Sequence, residues 1–489
     1  MTVRADNFID GTWVASEGET LEVRNPATQE LLALCGLSRP TEVDRAVQAA
    51  HRAFIEWKKT PVTERIQFLF RLKGLLEEHL DELARTIVQE CGKTFDEARG
   101  EIRRGIENVE TACGTPALMQ GFNNEDIARG IDEFCFRQPV GVVAAITPFN
   151  FPGMIPLWFL PYAVACGNCF ILKPSERVPL TARRIVELVH QTGIPAGVVQ
   201  LVNGSKEAVD ALLDHPLVRA ISFVGSSPVA RYIYSRGAAA GKRLQCQGGA
   251  KNPIVVLPDA DMEMTRQIVA DSAFGCAGQR CLAGSVAVTV GEARGPFSEA
   301  ISEAARTRVV GYGLEENTEM GPVISPESRA RIEQTVEKTV GEGARVLVDG
   351  RGRGVPGYEK GNFIYPTILE NVDPKGDSIR TEIFGPVLSM VHINDIEEAI
   401  EFVNRNAYGN MACLFTRSGW AARRFRNEAE VGNIGINLGV AAPMAFFPFS
   451  GWKESFFGDL HAQGRDAIDF YTEKKVVIER WPSQWSRRF

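Results

Sequence analysis

A cysteine closes the tetrad Gly278-Gln279-Arg280-Cys281, and about 130 residues earlier an asparagine stands inside Thr147-Pro148-Phe149-Asn150-Phe151-Pro152. A thiolate adds to a carbonyl carbon, and a side-chain amide donates to the oxygen that becomes negative in the tetrahedral adduct. Cys281 and Asn150 therefore read as nucleophile and oxyanion donor, a pair suited to aldehyde chemistry. Arg280 and the end of the helix-like segment before the tetrad are expected to lower the thiol's pKa. Cys276, five residues upstream on a continuation of that helix, would point elsewhere and pack. Cys246 reads as a small buried hydrophobe.

These residues need a frame, and strands alternate with helices through the middle of the chain. Strands are predicted at Val140–Ile146, Phe170–Lys173, Val198–Val202, Arg219–Val224, Arg243–Gln247 and Ile254–Leu257. Helices fall between them near Thr181–Thr192, Lys206–Leu213 and Pro228–Arg236. Such alternation marks an α/β chain with a parallel, doubly wound sheet, whose ligands bind at the carboxyl ends of the strands. Two strand ends carry suitable chemistry. Lys173-Pro174-Ser175-Glu176 places an ammonium and a carboxylate where they can clasp an adenosine ribose, and the carboxylate repels an added 2′-phosphate, which favours NAD over NADP. Phe223-Val224-Gly225-Ser226 is a tight turn feeding a helix N-terminus, whose free N–H groups suit a pyrophosphate.

At 489 residues, with 44% hydrophobic and 24% charged residues, the chain is too long for one core, so two or three domains are expected. A net charge of −7 argues against a nucleic-acid partner. Arg103-Arg104 and Arg183-Arg184 read, by composition, as solvated faces. No charged and apolar leader opens the chain, so a cytoplasmic protein is expected. Phe151–Leu172 carries no charge, but Pro152, Pro156 and Pro161 break a membrane span and leave a buried core helix. Ten cysteines are too sparse for a disulfide framework. Cys166-Gly167-Asn168-Cys169 has no second CxxC to complete a metal set, so no metal is expected.

The motifs together resemble the aldehyde dehydrogenase superfamily, with Glu382-Ile383-Phe384-Gly385-Pro386-Val387 as a further match, and the resemblance spans essentially the whole chain. It implies an aldehyde-dehydrogenase-like fold with a Rossmann-type cofactor domain, an α/β catalytic domain and a small β oligomerisation element. It makes Cys281 the nucleophile and Asn150 the oxyanion donor. The cofactor residues are Thr147, Phe149, Lys173, Glu176, Gly225, Ser226, Glu382 and Phe384, the last two holding the nicotinamide ribose. Ala230 departs from the pattern, since many members carry Gly in that turn-helix motif.

A second departure bears on the chemistry. Many members read Glu-Leu-Gly-Gly-Lys where this chain reads Gln247-Gly248-Gly249-Ala250-Lys251, and the Glu is the base for the water that hydrolyses the acyl-enzyme. An amide takes no proton from water, and general-base catalysis contributes about 10²–10⁴-fold. A thiol is more acidic and more nucleophilic than water, so the substitution points to coenzyme A as acyl acceptor. Gly105–Glu110, Lys173–Arg177, Gly249–Asn252 and Phe470–Lys475 accordingly resemble the CoA-acylating methylmalonate-semialdehyde dehydrogenase family. That resemblance implies oxidation of methylmalonate or malonate semialdehyde with decarboxylation, giving propionyl-CoA or acetyl-CoA. It implies that Arg104 and Arg280 receive the substrate carboxylate, for which a guanidinium fork is suited. Pro253 and Leu282 depart from this family, which usually has His and often Met there.

The resemblance further implies an NAD-binding domain over residues 1–121 and 141–246, a catalytic domain over 247–462, and an oligomerisation element over 122–140 and 463–489. Val476-Val477-Ile478 reads as an edge strand that a second subunit can cover, in a dimer or a homotetramer built from dimers. Two alternatives stay open: a hydrolytic aldehyde dehydrogenase acting on another short acid semialdehyde, and a catalytically retired member. The second is disfavoured because Cys281, Asn150, Lys173 and Glu382 are all present.

Overall fold

The computed structural model describes residues 3–481, and residues 482–489 of the expected oligomerisation element lie outside them. Two large sheets and three small ones organise the described residues. The first large sheet runs Phe456–Gly458, Arg243–Gln247, Val218–Val224, Val142–Ile146, Cys169–Lys173, Val199–Leu201, Asn7–Ile9 and Thr12–Val14. Its five middle strands are parallel. Val142–Ile146 and Cys169–Lys173 are buried along their whole length, as expected of strands covered on both faces. The first of them starts at Val142 rather than Val140, because Gly141 (φ +134°) donates its N–H to Asn168 Oδ1 at 3.0 Å instead of joining the ladder.

Strand order reverses between Val142–Ile146 and Val218–Val224, which pair with Phe223 opposite Ile146. Connections leave such a point in opposite directions and open a crevice beyond the strand ends. Thr147–Asn150 follows one of these strands and Gly225–Ser226 the other, so both motifs are delivered to that crevice by topology. Thr147 N–H donates to Lys173 O at 3.0 Å, which brings the third motif alongside.

The charge-free stretch forms the helix Met154–Ala165, whose residues from Ile155 onward are all buried, with Pro161 inside it. No helix among the described residues is long and apolar enough to cross a membrane.

The second large sheet runs Arg345–Val348, Thr367–Glu370, Val387–Ile393, Gly284–Val290, Asn252–Val256, Met411–Phe415 and Asn433–Ile436, parallel except at its first pair. Cys281 precedes Gly284–Val290, and Glu382 and Phe384 precede the neighbouring Val387–Ile393. Pro253 falls where the pairing of Asn252–Val256 slips by a residue, a position that tolerates a missing N–H.

A three-stranded antiparallel sheet stands apart: Thr472–Glu479, Ile131–Pro139 and Phe122–Ala128. Thr472–Glu479 is its edge, and Val476 and Ile478 are 60% and 65% exposed there.

Candidate active site

The nucleophile loop is built by an abrupt change of backbone. The helix Met262–Phe274 stops at Phe274, and Cys276, Ala277 and Gly278 all take left-handed φ values of +52°, +52° and +70°. Gly278 tolerates no side chain, since a Cβ would lie 2.1 Å from Gly385 O. Two alanine-like residues in that region are costly, so something outside the loop must hold them. Glu97 does so by accepting the Cys276 N–H at 2.6 Å. Cys276 is therefore not on a continuing helix. It lines the same cavity as Cys281, which corrects the expectation that it points elsewhere.

The loop is pinned on its other side by amides. Asn252 Nδ2 and Asn410 Nδ2 both donate to Cys281 O, at 2.9 and 2.8 Å, and Asn150 Nδ2 donates to Gln279 O at 3.0 Å. Asn150 is buried and its amide has a second hydrogen beyond that bond.

A cavity of about 400 Å³ opens over Cys281. One wall is the helix Phe95–Cys113, which begins in a capping box: Thr94 Oγ1 accepts from Glu97 N and Glu97 Oε2 accepts from Thr94 N. Glu97, Gly100, Glu101, Arg104 and Asn108 line the cavity from this helix, the spacing of a single helical face. Arg280 faces them beside the thiol, and Leu282 completes the floor next to it. Both predicted carboxylate receptors thus reach one cavity with the nucleophile. Arg104 is not the solvated charge that composition suggests. It is held by Glu107 at 2.6 Å, by the Pro443 carbonyl and by Met444 Sδ at 3.0 Å.

The two carboxylates in that wall are committed. Glu97 pairs with Arg280 at 3.1 Å, and Glu101 pairs with buried Lys93 at 2.5 Å while its other oxygen accepts the Gly153 and Met154 N–H groups. Gln247 is buried, and its Nε2 donates to the carbonyl of Phe449, another cavity residue, at 2.9 Å.

The Cys281 thiol is pushed up to about 12, chiefly by burial and then by the charge of Glu382, while backbone N–H groups and Arg280 oppose this. The expected activation by Arg280 is therefore outweighed. The preceding helix does not help either, because it presents its C-terminus, the negative end of its dipole.

The residues expected to hold the cofactor do not line that cavity. Lys173 Nζ and Glu176 Oε2 pair at 3.1 Å; burial works against the Glu176 carboxylate, but Lys173, a backbone N–H and Arg177 together hold its pKa below the usual range. Thr147 Oγ1 is buried without a hydrogen-bond partner, and Ser226, exposed at the start of the 13-residue helix Ser227–Ala239, makes no side-chain cap bond. Free groups of this kind fit a dinucleotide. Ala230 is fully buried one turn on, its N–H bonded to Ser226 O, so the small side chain is tolerated where Gly is common. Glu382 Oε1 accepts the Ala250 N–H at 3.0 Å; burial raises its pKa to about 7 against Ala250, Lys251 and Arg331. A Cβ at Gly249 would stand 2.5 Å from Glu382 Oε2, so any side chain there would displace that carboxylate. Phe384, at φ +52°, meets Phe149 edge to face at 5.9 Å, which joins the two large sheets across the crevice.

Four contributors escape motif reading. Asn252 and Asn410 bind a backbone carbonyl rather than a ligand. Glu97 announces itself only as the last residue of a capping box. Gln463, buried at φ +74° with its Oε1 unpartnered, lines the cavity from a segment without any motif.

This fold is that of the aldehyde dehydrogenase family, whose model matches residues 13–477, and the chain belongs to that family. Among curated relatives, it is 50% identical over 476 residues to malonate-semialdehyde dehydrogenase 1 of Geobacillus kaustophilus, covering 97% of each chain. It is 48% identical to malonate-semialdehyde dehydrogenase of Halalkalibacterium halodurans, covering 97% of this chain and 98% of that one. Among solved structures, it superposes with a TM-score of 0.98 at 42% identity on a methylmalonate-semialdehyde dehydrogenase from Sinorhizobium meliloti complexed with NAD, covering 99% of each chain. The methylmalonate-semialdehyde dehydrogenase of Oceanimonas doudoroffii gives a TM-score of 0.97 at 45% identity, again over 99% of each.

Proposed function

We propose that this chain oxidises malonate semialdehyde or methylmalonate semialdehyde with NAD, releases the substrate carboxyl as CO2, and passes the acyl group to coenzyme A as acetyl-CoA or propionyl-CoA. The observation that carries this reading is a single cavity lined by Cys281, Arg104 and Arg280 together, in whose wall both carboxylates, Glu97 and Glu101, are ion-paired.

In this reading Cys281 Sγ attacks the aldehyde carbon, and the oxyanion rests on the free Asn150 N–H and the Cys281 backbone N–H. Arg104 and Arg280 hold the substrate carboxylate and so fix which face of the aldehyde meets the thiol. Thr147, Gly225 and Ser226 would receive the NAD phosphates and nearby groups, and Lys173 with Glu176 the adenosine ribose. Glu382 would hold the nicotinamide ribose, with Phe149 and Phe384 closing around it. NAD, when bound, supplies the two-electron acceptor, and Cys281 is left carrying a thioester. Loss of CO2 beta to that carbonyl leaves an enolate that the same two donors stabilise until its α carbon takes a proton from solvent, giving the acetyl or propionyl thioester. Water finds no base, because Gln247 is an amide and Glu97 and Glu101 are ion-paired, so the CoA thiol completes the transfer.

We also assign residues 1–121 and 141–246 to NAD binding, 247–462 to catalysis, and 122–140 with 463–489 to subunit contact in a cytoplasmic homotetramer. The exposed apolar side chains on the edge strand Thr472–Glu479 support the last assignment.

Arg104→Ala is expected to lower kcat/KM for malonate semialdehyde about a hundredfold, the scale of a lost hydrogen bond to a charged group. Propanal, which has no carboxylate, should lose about threefold at most; equal losses would remove the carboxylate-recognition role. Gln247→Glu deletes the donor to Phe449 O and turns a carboxylate away from that carbonyl. The ratio of free acid to acyl-CoA, read by mass, is expected to rise about tenfold or more. An unchanged ratio would mean that the missing base is not what excludes water.

A further inference from the structure

We infer that Glu97 is the positioning residue that aims Arg280 at the substrate carboxylate and sets its register with Arg104, a role that rests on the carboxylate-receptor reading above. Glu97 ties two elements together with its two oxygens. Oε2 accepts Thr94 N at 3.1 Å and belongs to the cap of the helix Phe95–Cys113. Oε1 accepts Cys276 N at 2.6 Å and Arg280 Nη2 at 3.1 Å and belongs to the nucleophile loop. Arg104 stands seven residues further along that same helix face, about 10 Å from Glu97 at 1.5 Å rise per residue. One carboxylate therefore fixes the separation between the arginine on the helix and the arginine on the loop.

The guanidinium of Arg280 is seated from every side. Its Nε donates to Cys276 Sγ at 3.3 Å, its Nη2 meets Glu97, and its plane lies against Gly275, where a Cβ would stand 2.3 Å from Nη2. Arg280 and Glu97 side chains are only 20% and 17% exposed, so the pair is poorly screened and the orientation is worth holding. Glu97 need not touch substrate. Arg280 Nη1 reaches Asp271 O at 3.5 Å, and with Glu97 in place one hydrogen on each of Nη1 and Nη2 stays available to a ligand.

Two variants separate this role from mere support of the loop. Glu97→Gln can keep Oε1 as the acceptor for Cys276 N–H, gives up the Oε2 acceptor for Thr94 N–H, and removes the charge that faces Arg280. Gly275→Ala leaves Glu97 untouched and displaces only the far end of the flexible Arg280 side chain. Steady-state kinetics with malonate semialdehyde and propanal, in the presence of NAD and CoA, give the ratio of the two kcat/KM values. Both variants are expected to lower that ratio about tenfold, through KM for the acidic substrate. In an Arg280→Ala background Glu97→Gln should change the ratio less than twofold, because the partner through which it acts is gone. Parallel losses on both substrates, or a full effect of Glu97→Gln without Arg280, would overturn the proposal and leave a structural role. If wild type prefers the acidic substrate and both variants retain that preference, this proposal falls alone. A wild-type ratio near one would overturn the receptor reading and this proposal with it. Should Glu97→Gln not fold, Glu97→Asp, which keeps the charge but draws it back from Arg280 by one methylene, takes its place, and an unchanged ratio of the two kcat/KM values would overturn the proposal.

Discussion

Cys281→Ala is expected to reduce NADH formation by about four orders of magnitude or more on acidic and neutral aldehydes alike. The methyl group of alanine cannot form the tetrahedral adduct from which electrons leave, and no other thiol in the cavity substitutes for it. Cys276 is the nearest rival, but its sulfur accepts from Arg280 Nε, and burial foremost raises its pKa. Alkylation supplies a second readout. With the Cys281 thiol pushed up to about 12, iodoacetamide labelling of the cofactor-free protein should climb about tenfold per pH unit from pH 7 to pH 9, with no plateau. The sign follows from the thiolate being the reactive form, whose fraction grows with pH until the pKa is reached. Residual NADH formation at a tenth of wild type in Cys281→Ala would displace Cys281 from the role of nucleophile, whereas a labelling plateau near pH 8 would contradict only the raised pKa of its thiol.

Asn150→Ala comes second in size, with an expected fall in kcat of about 10²–10³-fold, the loss measured for removal of one oxyanion donor. KM should move little, because the amide is aimed at charge that develops only after attack. The loss should be the same for malonate semialdehyde and propanal, in contrast to Arg104→Ala, since both substrates form the same oxyanion. Asn150 also holds Gln279 O, so part of the loss is slackness in the loop. Asn150→Asp tests this. It keeps the size of the side chain but offers no N–H when ionised, and it should be at least as damaging as alanine. Recovery to within threefold of wild type by Asp would contradict an oxyanion role.

What could be read ahead of the structure followed local rules. Val142–Ile146 and Cys169–Lys173 are apolar runs whose length and turn signals mark buried parallel strands, and Gly225-Ser226 has the composition of a turn before a helix. The prolines in Phe151–Leu172 rightly argued for a core helix. Cys281 and Asn150 stood out because thiol and amide chemistry is specific, and Arg280 as a carboxylate receptor only through the family resemblance. The left-handed turn was not, since only Gly278 among its three residues advertises such a backbone. Cys276 and Ala277 are forced into it by Glu97, 179 residues earlier than Cys276. Asn410 was equally hidden: it supports Cys281 O across 129 residues, and nothing local sets an asparagine apart for that task. The thiol pKa went the other way from expectation because burial, which a sequence shows poorly, exceeds the effect of an arginine whose charge Glu97 already shares.

The most direct test is steady-state NADH formation from malonate semialdehyde and NAD, with and without CoA, with the product identified by mass. Turnover that depends strongly on CoA and yields acetyl-CoA with release of CO2 is the expected result. Turnover to free acid at an equal rate without CoA would contradict it and place the protein among hydrolytic aldehyde dehydrogenases.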